Sequence, residues 1–386
     1  MNKKAPTYQR LGNYIRLVDV RNKDLEVEKL LGLSIEKRFI PSIANTIGTD
    51  MSTYKVVQPR QFAYGPVTSR NGDKITIALY DGEMPIIISQ AYVTFEIFKP
   101  EELDAEYLMM WFRRPEFDRY ARFKSHGSAR EIFDWETMCD VELPVPYITE
   151  QRQIVAEYQT LQNRISVETR LIASLQSTAQ AIYRKMFVDD IDKENLPEGW
   201  RMGTLGEVVN ISGGGTPNTN EPLFWQGDIP FFTPADSSNE YFCISTEKTL
   251  TISGLNNCNS KQYDKYSTFV TARGTVGSIS IAGKNMAMNQ SCYALIPQDN
   301  KNYFYIHQLS MQTIKTLKEE AVGAVFSALV TKDFETKEII IPTDKCMIKY
   351  NDIVKSLYEY VLIKQQEINK LKELQSLLLA KMGRKK

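Results

Sequence analysis

The sequence predicts an α+β protein: two domains of mixed short strands and helices, separated by two long helices packed as an antiparallel coiled coil. Three observations predict it. Apolar residues repeat with a heptad period over two stretches, one closing each half of the 386-residue chain. The two halves share an ordered series of similar segments, about 200 residues apart, as a duplicated domain would. Strand signals in each half are short and punctuated by turn dipeptides, which favours an α+β domain over a wound parallel sheet.

The first long helix is expected from about Glu150 to Met186. Ile154, Tyr158, Leu161, Ile165, Ile172, Leu175, Ala179, Ile182 and Met186 step by four and three residues, and Glu168 breaks the series. The second is expected from about Ile348 to Met382. Val354, Leu357, Val361, Ile368, Leu371, Leu378 and Met382 form its stripe, which Lys364 and Gln375 interrupt. A 3.5-residue apolar period is what a helix needs to seat against another. Each helix carries the seam the other lacks, so Ile154, Leu161, Ile165 and Leu175 are expected to share a seam with Leu357, Val361, Ile368 and Leu371. The polar residues Glu168, Lys364 and Gln375 are expected to fix register at some cost in stability. On that basis Lys364→Leu should stabilise the protein.

The repeat is carried by matched segments in one order. YQRLGNYIRLVDV from Tyr8 answers LPEGWRMGTLGEVVNI from Leu196. QFAYGPVTSRNGDKITIAL answers STFVTARGTVGSISIA, and SQAYVTFEI answers NQSCYALIP. A helix follows in each half, near Asp104–Phe123 and Asn302–Glu320. GSAREIFDWETMCDVELPVP then answers GAVFSALVTKDFETKEIIIP. Strands are expected at Ile75–Leu79, Ile86–Ile88 and Tyr92–Ile97, with Asn71-Gly72 and Asp81-Gly82 suited to tight turns. Phe269–Thr271, Ser278–Ile281 and Cys292–Ile296 are their counterparts. The charged stretch Asp189–Glu198, with Pro197, reads as a linker. The expected division is a first domain over residues 1–149, a long helix over 150–188, a second domain with its linker over 189–346, and a long helix over 347–386.

Composition bounds the function. Lys and Arg number 47 against 47 Asp and Glu, so the chain has no net charge. That counts against a protein holding nucleic acid alone by bulk electrostatics. It leaves room for DNA reading inside a complex whose partners supply phosphate contacts. The five cysteines, Cys139, Cys243, Cys258, Cys292 and Cys346, are scattered and form no CxxC pair, which favours a reducing compartment. The start has no apolar core of a signal peptide, and no apolar run approaches the roughly 20 residues of a membrane span. A soluble cytoplasmic protein with no membrane partner is expected.

Several of these segments resemble the specificity subunit of type I restriction-modification systems. LPVPYITEQRQIV (Leu143–Val155) is similar to that family's entry into its spacer helix. LPEGWRMGTLGEVVNISGGGTPNTNEPLFWQGDIPFFTPAD (Leu196–Asp236) resembles the opening of its target recognition domains. TARGTVGSIS and NQSCYALIP continue the pattern, and LKELQSLLLAKM resembles its terminal helix. The resemblance covers nearly the whole chain. The first domain departs from it, lacking the GGTP and W-x-GDIP elements. The resemblance implies two target recognition domains, each reading one half of a bipartite, asymmetric site on double-stranded DNA. It implies a spacer between the half-sites set by the paired helices. It also implies two modification subunits that methylate adenine with S-adenosylmethionine, and restriction subunits that translocate with ATP and Mg²⁺. No cofactor is expected in this chain itself. About 33 helical residues span about 50 Å. Antiparallel packing would place the heads at opposite ends, suiting half-sites about one DNA turn, or roughly 34 Å, apart.

DNA readout needs side chains with paired donors and acceptors on loops. In the first domain the candidates are Arg70, Asn71 and Lys74 in one turn, and Ser125, Ser128 and Arg130 on a Gly-bearing loop. That loop follows a basic helix with Arg113, Arg114, Arg119 and Arg122, whose plainer reading is a solvated face. In the second domain they are Thr216, Asn218, Asn220, Arg273, Thr275, Lys284, Asn289 and Gln290. Cap or turn bonding is the plainer role for Asn289 and Gln290. Local acids Glu221, Asp228, Asp236 and Glu240 count against strong independent DNA binding.

Catalytic signals are weak. GSISIAGKN (Gly277–Asn285) misses the phosphate-loop spacing and puts Asn285 where a hydroxyl belongs, so it reads as a hairpin. The Gly213-Gly214-Gly215-Thr216 run reads as a turn for close backbone approach to DNA or a neighbouring strand. No Asn/Asp-Pro-Pro-aromatic motif of adenine methyltransferases is present. The two histidines, His126 and His307, lack partners at ligand spacing, so neither catalysis nor a metal site is expected. The rival readings are a stand-alone nuclease or methyltransferase, and a coiled-coil adaptor whose heads bind proteins.

Overall fold

The long helices form at Ile148–Phe187 and Asp344–Met382 in the computed structural model, which describes residues 8–42, 48–69, 71–125, 131–238, 240–320 and 328–383. The chain divides into two compact units, Met1–Ile165 with Lys370–Lys386, and Ser166–Asn369. The division runs through both long helices, because a stretch of each folds with each head.

In the first unit, Val155 and Tyr158 share a buried cluster with Leu379 and Met382, and Gln375 Nε2 donates to Gln162 Oε1 at 3.0 Å. In the second, Lys364 meets Glu168, and the Tyr350 hydroxyl donates to the Ala179 carbonyl at 3.1 Å. Numbers rise along one helix as they fall along the other, so the pairing is antiparallel. Val361 and Ile368 are buried, while Ile154, Leu161, Ile165, Leu175, Leu357 and Leu371 are half-buried. The expected stripe ended on Ile182 and Met186. The residues buried there are Tyr183 and Phe187. A straight helix drifts about 20° per heptad against a 3.5 repeat, so after four heptads the buried face has moved by nearly one residue.

The second helix carries a further buried stripe that the heptad reading passed over. Asn351, Tyr358 and Gln365 recur every seven residues, beside the seam, and hold the head of their own unit. Asn351 Oδ1 accepts from Phe304 N at 3.0 Å, and Gln365 Oε1 accepts from Phe242 N at 3.3 Å. Gln308 Nε2 donates to the Tyr358 hydroxyl at 2.8 Å, and His307 Nδ1 lies 2.8 Å from the same oxygen.

The two heads repeat one topology. The first has an antiparallel sheet in the order Ile15–Val18, Val93–Ile97, Phe62–Tyr64, Ile77–Leu79. The second has Val209–Gly213, Cys292–Pro297, Thr268–Thr271, Ile279–Ala282 in the same order, with Phe242–Cys243 added in parallel at the edge. Each head is closed by a strand pair, Tyr8–Arg10 with Glu142–Pro144 and Arg201–Thr204 with Glu338–Ile341. The second strand of each pair runs almost directly into a long helix.

Two expected elements differ. The helix near Asp104–Phe123 is two helices, Ala105–Phe112 and Pro115–Ser125. Asp104 caps the first, and Pro115 disfavours helical backbone at Arg114 while suiting the first turn of the next helix. The matching helix Tyr303–Glu320 contains no proline and runs unbroken. The Gly277–Asn285 run is not a hairpin either. Ile279–Ala282 pairs within the five-stranded sheet, but the next strand, Ala287–Met288, pairs in parallel with Trp225–Phe232 of a different sheet.

The Lys364 ammonium lies 3.1 Å from Glu168, whose side chain is 4% exposed, and 2.8 Å from Glu367. Glu367 first and Glu168 second hold it above the usual lysine range. This reverses the effect expected of Lys364→Leu. Removing the ammonium strips a buried carboxylate of this counter-charge, which destabilises, whereas replacing both charges with apolar groups is neutral or stabilising. Thermal melts should therefore show a lower midpoint for Lys364→Leu and recovery in Glu168→Leu/Lys364→Leu. A higher midpoint for the single variant would contradict this.

Burial pushes the His307 pKa down to about 3. The unfolded chain takes up a proton near pH 6.5 that the folded one refuses, so stability is full above that value and falls as pH drops toward 3. The loss approaches about 1.4 kcal/mol per pH unit. Melting midpoints of wild type and His307→Gln between pH 7 and 5 should diverge, with the variant less acid-sensitive. Parallel curves would refute it.

Candidate nucleic-acid interface

In the second head, Gly213 sits opposite Tyr293 and Thr271 opposite Cys292. Three loops therefore leave the sheet at one end: 213–218, 272–278 and 289–291. The glycine run allows their close approach. A Cβ on Gly214 would lie 2.1 Å from the Asn289 carbonyl, and one on Gly215 would lie 2.6 Å from Asn259 N. The neighbours are thus backbone of the same head. The Thr216 hydroxyl donates to Gln290 Oε1 and bridges two of the loops.

The middle loop is knotted at its base. Thr271, fully buried, donates through Oγ1 to the Thr275 carbonyl and accepts from Ser278 N at 3.0 Å. Gly274 and Gly277 adopt φ of +79° and +71°, backbone that suits glycine. Arg273 and Thr275 are exposed on this loop, and among the described residues the Arg273 guanidinium has no hydrogen-bond or ion-pair partner. A guanidinium held so can offer paired donors to a guanine edge or a phosphate.

Other candidates serve local structure. Asn289 Oδ1 accepts from Ser291 N at 3.0 Å and Asn218 Oδ1 from Asn220 N at 3.0 Å, the turn bonding their residue types favour. Lys284 is exposed but sits at the opposite end of the sheet. It follows Ala282, and Thr268 pairs with Ile281 at the far end of the strand that leads to Arg273. The head's acids are partly internal. Asp236 accepts from Thr233 N and Glu247 N, both at 2.8 Å, and Glu240 accepts from Gln365 at 2.7 Å.

In the first head, the hairpin of Phe62–Tyr64 and Ile77–Leu79 holds the topological place of Thr268–Thr271 and Ile279–Ala282. Its turn carries Asn71 and Lys74. Asn71 Nδ2 donates to the Val67 carbonyl at 3.3 Å, and Lys74 pairs with Glu36 at 2.8 Å. That ammonium holds the Glu36 carboxyl below its ordinary range. Arg70, Ser128, Arg130 and His126 lie outside the described residues. Ser125 is buried and donates to the Ala121 carbonyl at 2.6 Å, so it faces inward. The basic helix and its lead-in are not a uniformly solvated face. Arg114 is 6% exposed and lies over the Trp111 ring, Arg113 lies over Tyr158, and Arg122 pairs with Glu131 at 2.9 Å. Arg119 is exposed.

Sequence reading missed Thr271, and also Asp118 and Lys318, which touch the two hairpins from neighbouring helices. The Thr271 role has a local signal, a threonine before a Gly-bearing turn. The helix contacts have none, since their partners lie 43 and 41 residues away.

Two α+β heads of one topology, each closed into a long helix and each presenting a polar hairpin, define the class of fold. Residues 197–373 match the type I restriction modification DNA specificity domain. The chain is 24% identical over 297 residues to the MjaIX type I restriction enzyme specificity subunit of Methanocaldococcus jannaschii, covering 72% of this chain and 68% of that one. It is 30% identical over 216 residues to the HindI specificity subunit of Haemophilus influenzae, covering 54% of this chain and 47% of the relative. The solved structure of a type I restriction-modification S subunit from M. genitalium shares its fold, with a TM-score of 0.61 at 16% identity over 99% of this chain and 97% of that one. The second half of the chain thus matches the type I restriction modification DNA specificity domain, and the chain is similar to type I restriction enzyme specificity subunits over most of its length.

Arg273→Ala should lower base discrimination within one half-site by about 1–3 kcal/mol, the range of one lost bidentate contact, while the fold and complex assembly survive. Methylation rates on single-base variants of the recognised site check this. Wild-type preference in a folded variant would remove Arg273 from the interface.

Proposed function

We propose that this chain is the DNA-reading subunit of a type I restriction-modification complex and performs no catalysis itself. Each head reads one half of a bipartite site on double-stranded DNA, and the long helices set the spacer between the halves. Two modification subunits supply adenine methylation with S-adenosylmethionine. Restriction subunits supply translocation with ATP and Mg²⁺, in a cytoplasmic assembly. The observation that carries this reading is the duplicated hairpin: the same strand pair in both heads ends in a turn bearing exposed polar side chains, on a chain similar to specificity subunits.

The paired helices support the partner assignment. Ile353, Tyr360 and Ile363 on the second helix are 43%, 44% and 54% exposed, and their spacing puts them on one face. We assign that apolar stripe to a modification subunit. Neutral net charge fits the division of labour, since partners then carry the phosphate contacts that sequence-independent affinity requires.

The test is reconstitution. The purified chain alone should transfer no methyl groups. With modification subunits and S-adenosylmethionine it should direct adenine methylation to one split sequence, and a band shift should depend on both. Methyl transfer by the chain alone, or assembly with active modification subunits that methylate no defined sequence, would overturn the proposal.

A further inference from the structure

The two hairpins are gripped from outside in the same place by opposite chemistry. In the first head, Asp118 on the helix Pro115–Ser125 accepts from Ile75 N through Oδ1 at 3.2 Å. In the second, Lys318 on the helix Tyr303–Glu320 donates through Nζ to the Gly277 carbonyl at 3.2 Å. Ile75 and Gly277 each stand two residues before the returning strand of their hairpin, Ile77–Leu79 and Ile279–Ala282. Both gripping residues come from the helical segment that follows the sheet. A carboxylate takes a backbone N–H in one head, and an ammonium gives to a backbone carbonyl in the other.

We infer that Asp118 and Lys318 are positioning residues, which set the pose of the reading hairpin in each head and thereby its base preference. The inference rests on the reading of these hairpins as DNA-reading elements. Charge-assisted hydrogen bonds are roughly twice as strong as neutral ones. Base readout needs its side chains held to about half an ångström, which calls for support from a rigid element. The surroundings of each contact fit that role. Lys37, 6% exposed, lies 2.8 Å from Asp118 and also donates to the Phe112 carbonyl, tying the carboxylate to the end of the preceding helix. At Gly277, a Cβ would lie 2.8 Å from Lys318 Cε and 2.9 Å from Ile314 Cγ2, so glycine is what lets the hairpin come close enough to be held.

The test uses the complex reconstituted with its modification subunits and a DNA library carrying every single-base change of the wild-type site. Lys318→Met should lower discrimination at one or more positions of a single half-site by about fivefold or more, the low end of the cost of a misread base pair. The other half-site should be unaffected, and Lys318→Arg, which keeps a donor, should restore preference. Lys37→Met/Asp118→Leu, which removes both charges of the pair together, should do the same to the opposite half-site. Unchanged preferences in folded, assembled variants would overturn the inference. So would equal loss at both half-sites, the signature of plain destabilisation. Arg273→Ala in the same library separates the two levels. If it shifts preference and Lys318→Met does not, the positioning role falls alone; if neither does, the hairpin reading falls with it.

Discussion

Burial of one helical stripe against another is the contact on which both units depend. Val155 and Tyr158 against Leu379 and Met382, and Ala179 and Tyr183 against Tyr350, take one face of each long helix out of water. An isolated helix of any sequence gains little from its own hydrogen bonds, and tertiary packing of an apolar stripe supplies most of its stability. Each head then attaches to a helix that is already constrained on one side. The closing strands Glu142–Pro144 and Glu338–Ile341 sit only a few residues before the helices begin, so head and helix share one continuous stretch of ordered backbone.

That sharing explains why the second helix carries polar residues inside. Asn351, Tyr358 and Gln365 answer backbone and side-chain groups of the head, and a buried polar group with its partners in place specifies one arrangement where an apolar one tolerates several. The Lys364–Glu168 pair does the same work in the seam. Buried thiols add nothing reactive: burial pushes Cys243 and Cys292 up to about 12. The chemistry of the second head is concentrated on loops at one end of its sheet.

Much of the fold was legible because its signals are periodic or repeated. The 4-3 stripe announced the long helices, and matched segments such as SQAYVTFEI and NQSCYALIP announced the duplicated sheet. Single residues were less legible. Tyr183 took the place of Ile182 because helical drift accumulates beyond what a heptad count follows. Lys364 looked like an isolated polar interruption because its partner Glu168 lies 196 residues away. Asn289 and Asn218 have the right side chains for base readout, but their Oδ1 atoms are engaged in turns, and Lys284 sits on the wrong end of its sheet. Arg273 was legible for the opposite reason. It stands in a Gly-bearing turn, and among the described residues its guanidinium has no hydrogen-bond or ion-pair partner. The grips from Asp118 and Lys318 left no mark in the sequence, since neither the residue type nor its spacing announces a partner on another element.

DNA reading by the two heads is tested most directly by single-molecule mapping of methylated adenine in DNA from cells that express the modification subunits with and without this chain. A split, asymmetric methylated motif should appear only when the chain is present. Its absence, despite a stable complex with active modification subunits, would contradict the two-headed reading of DNA.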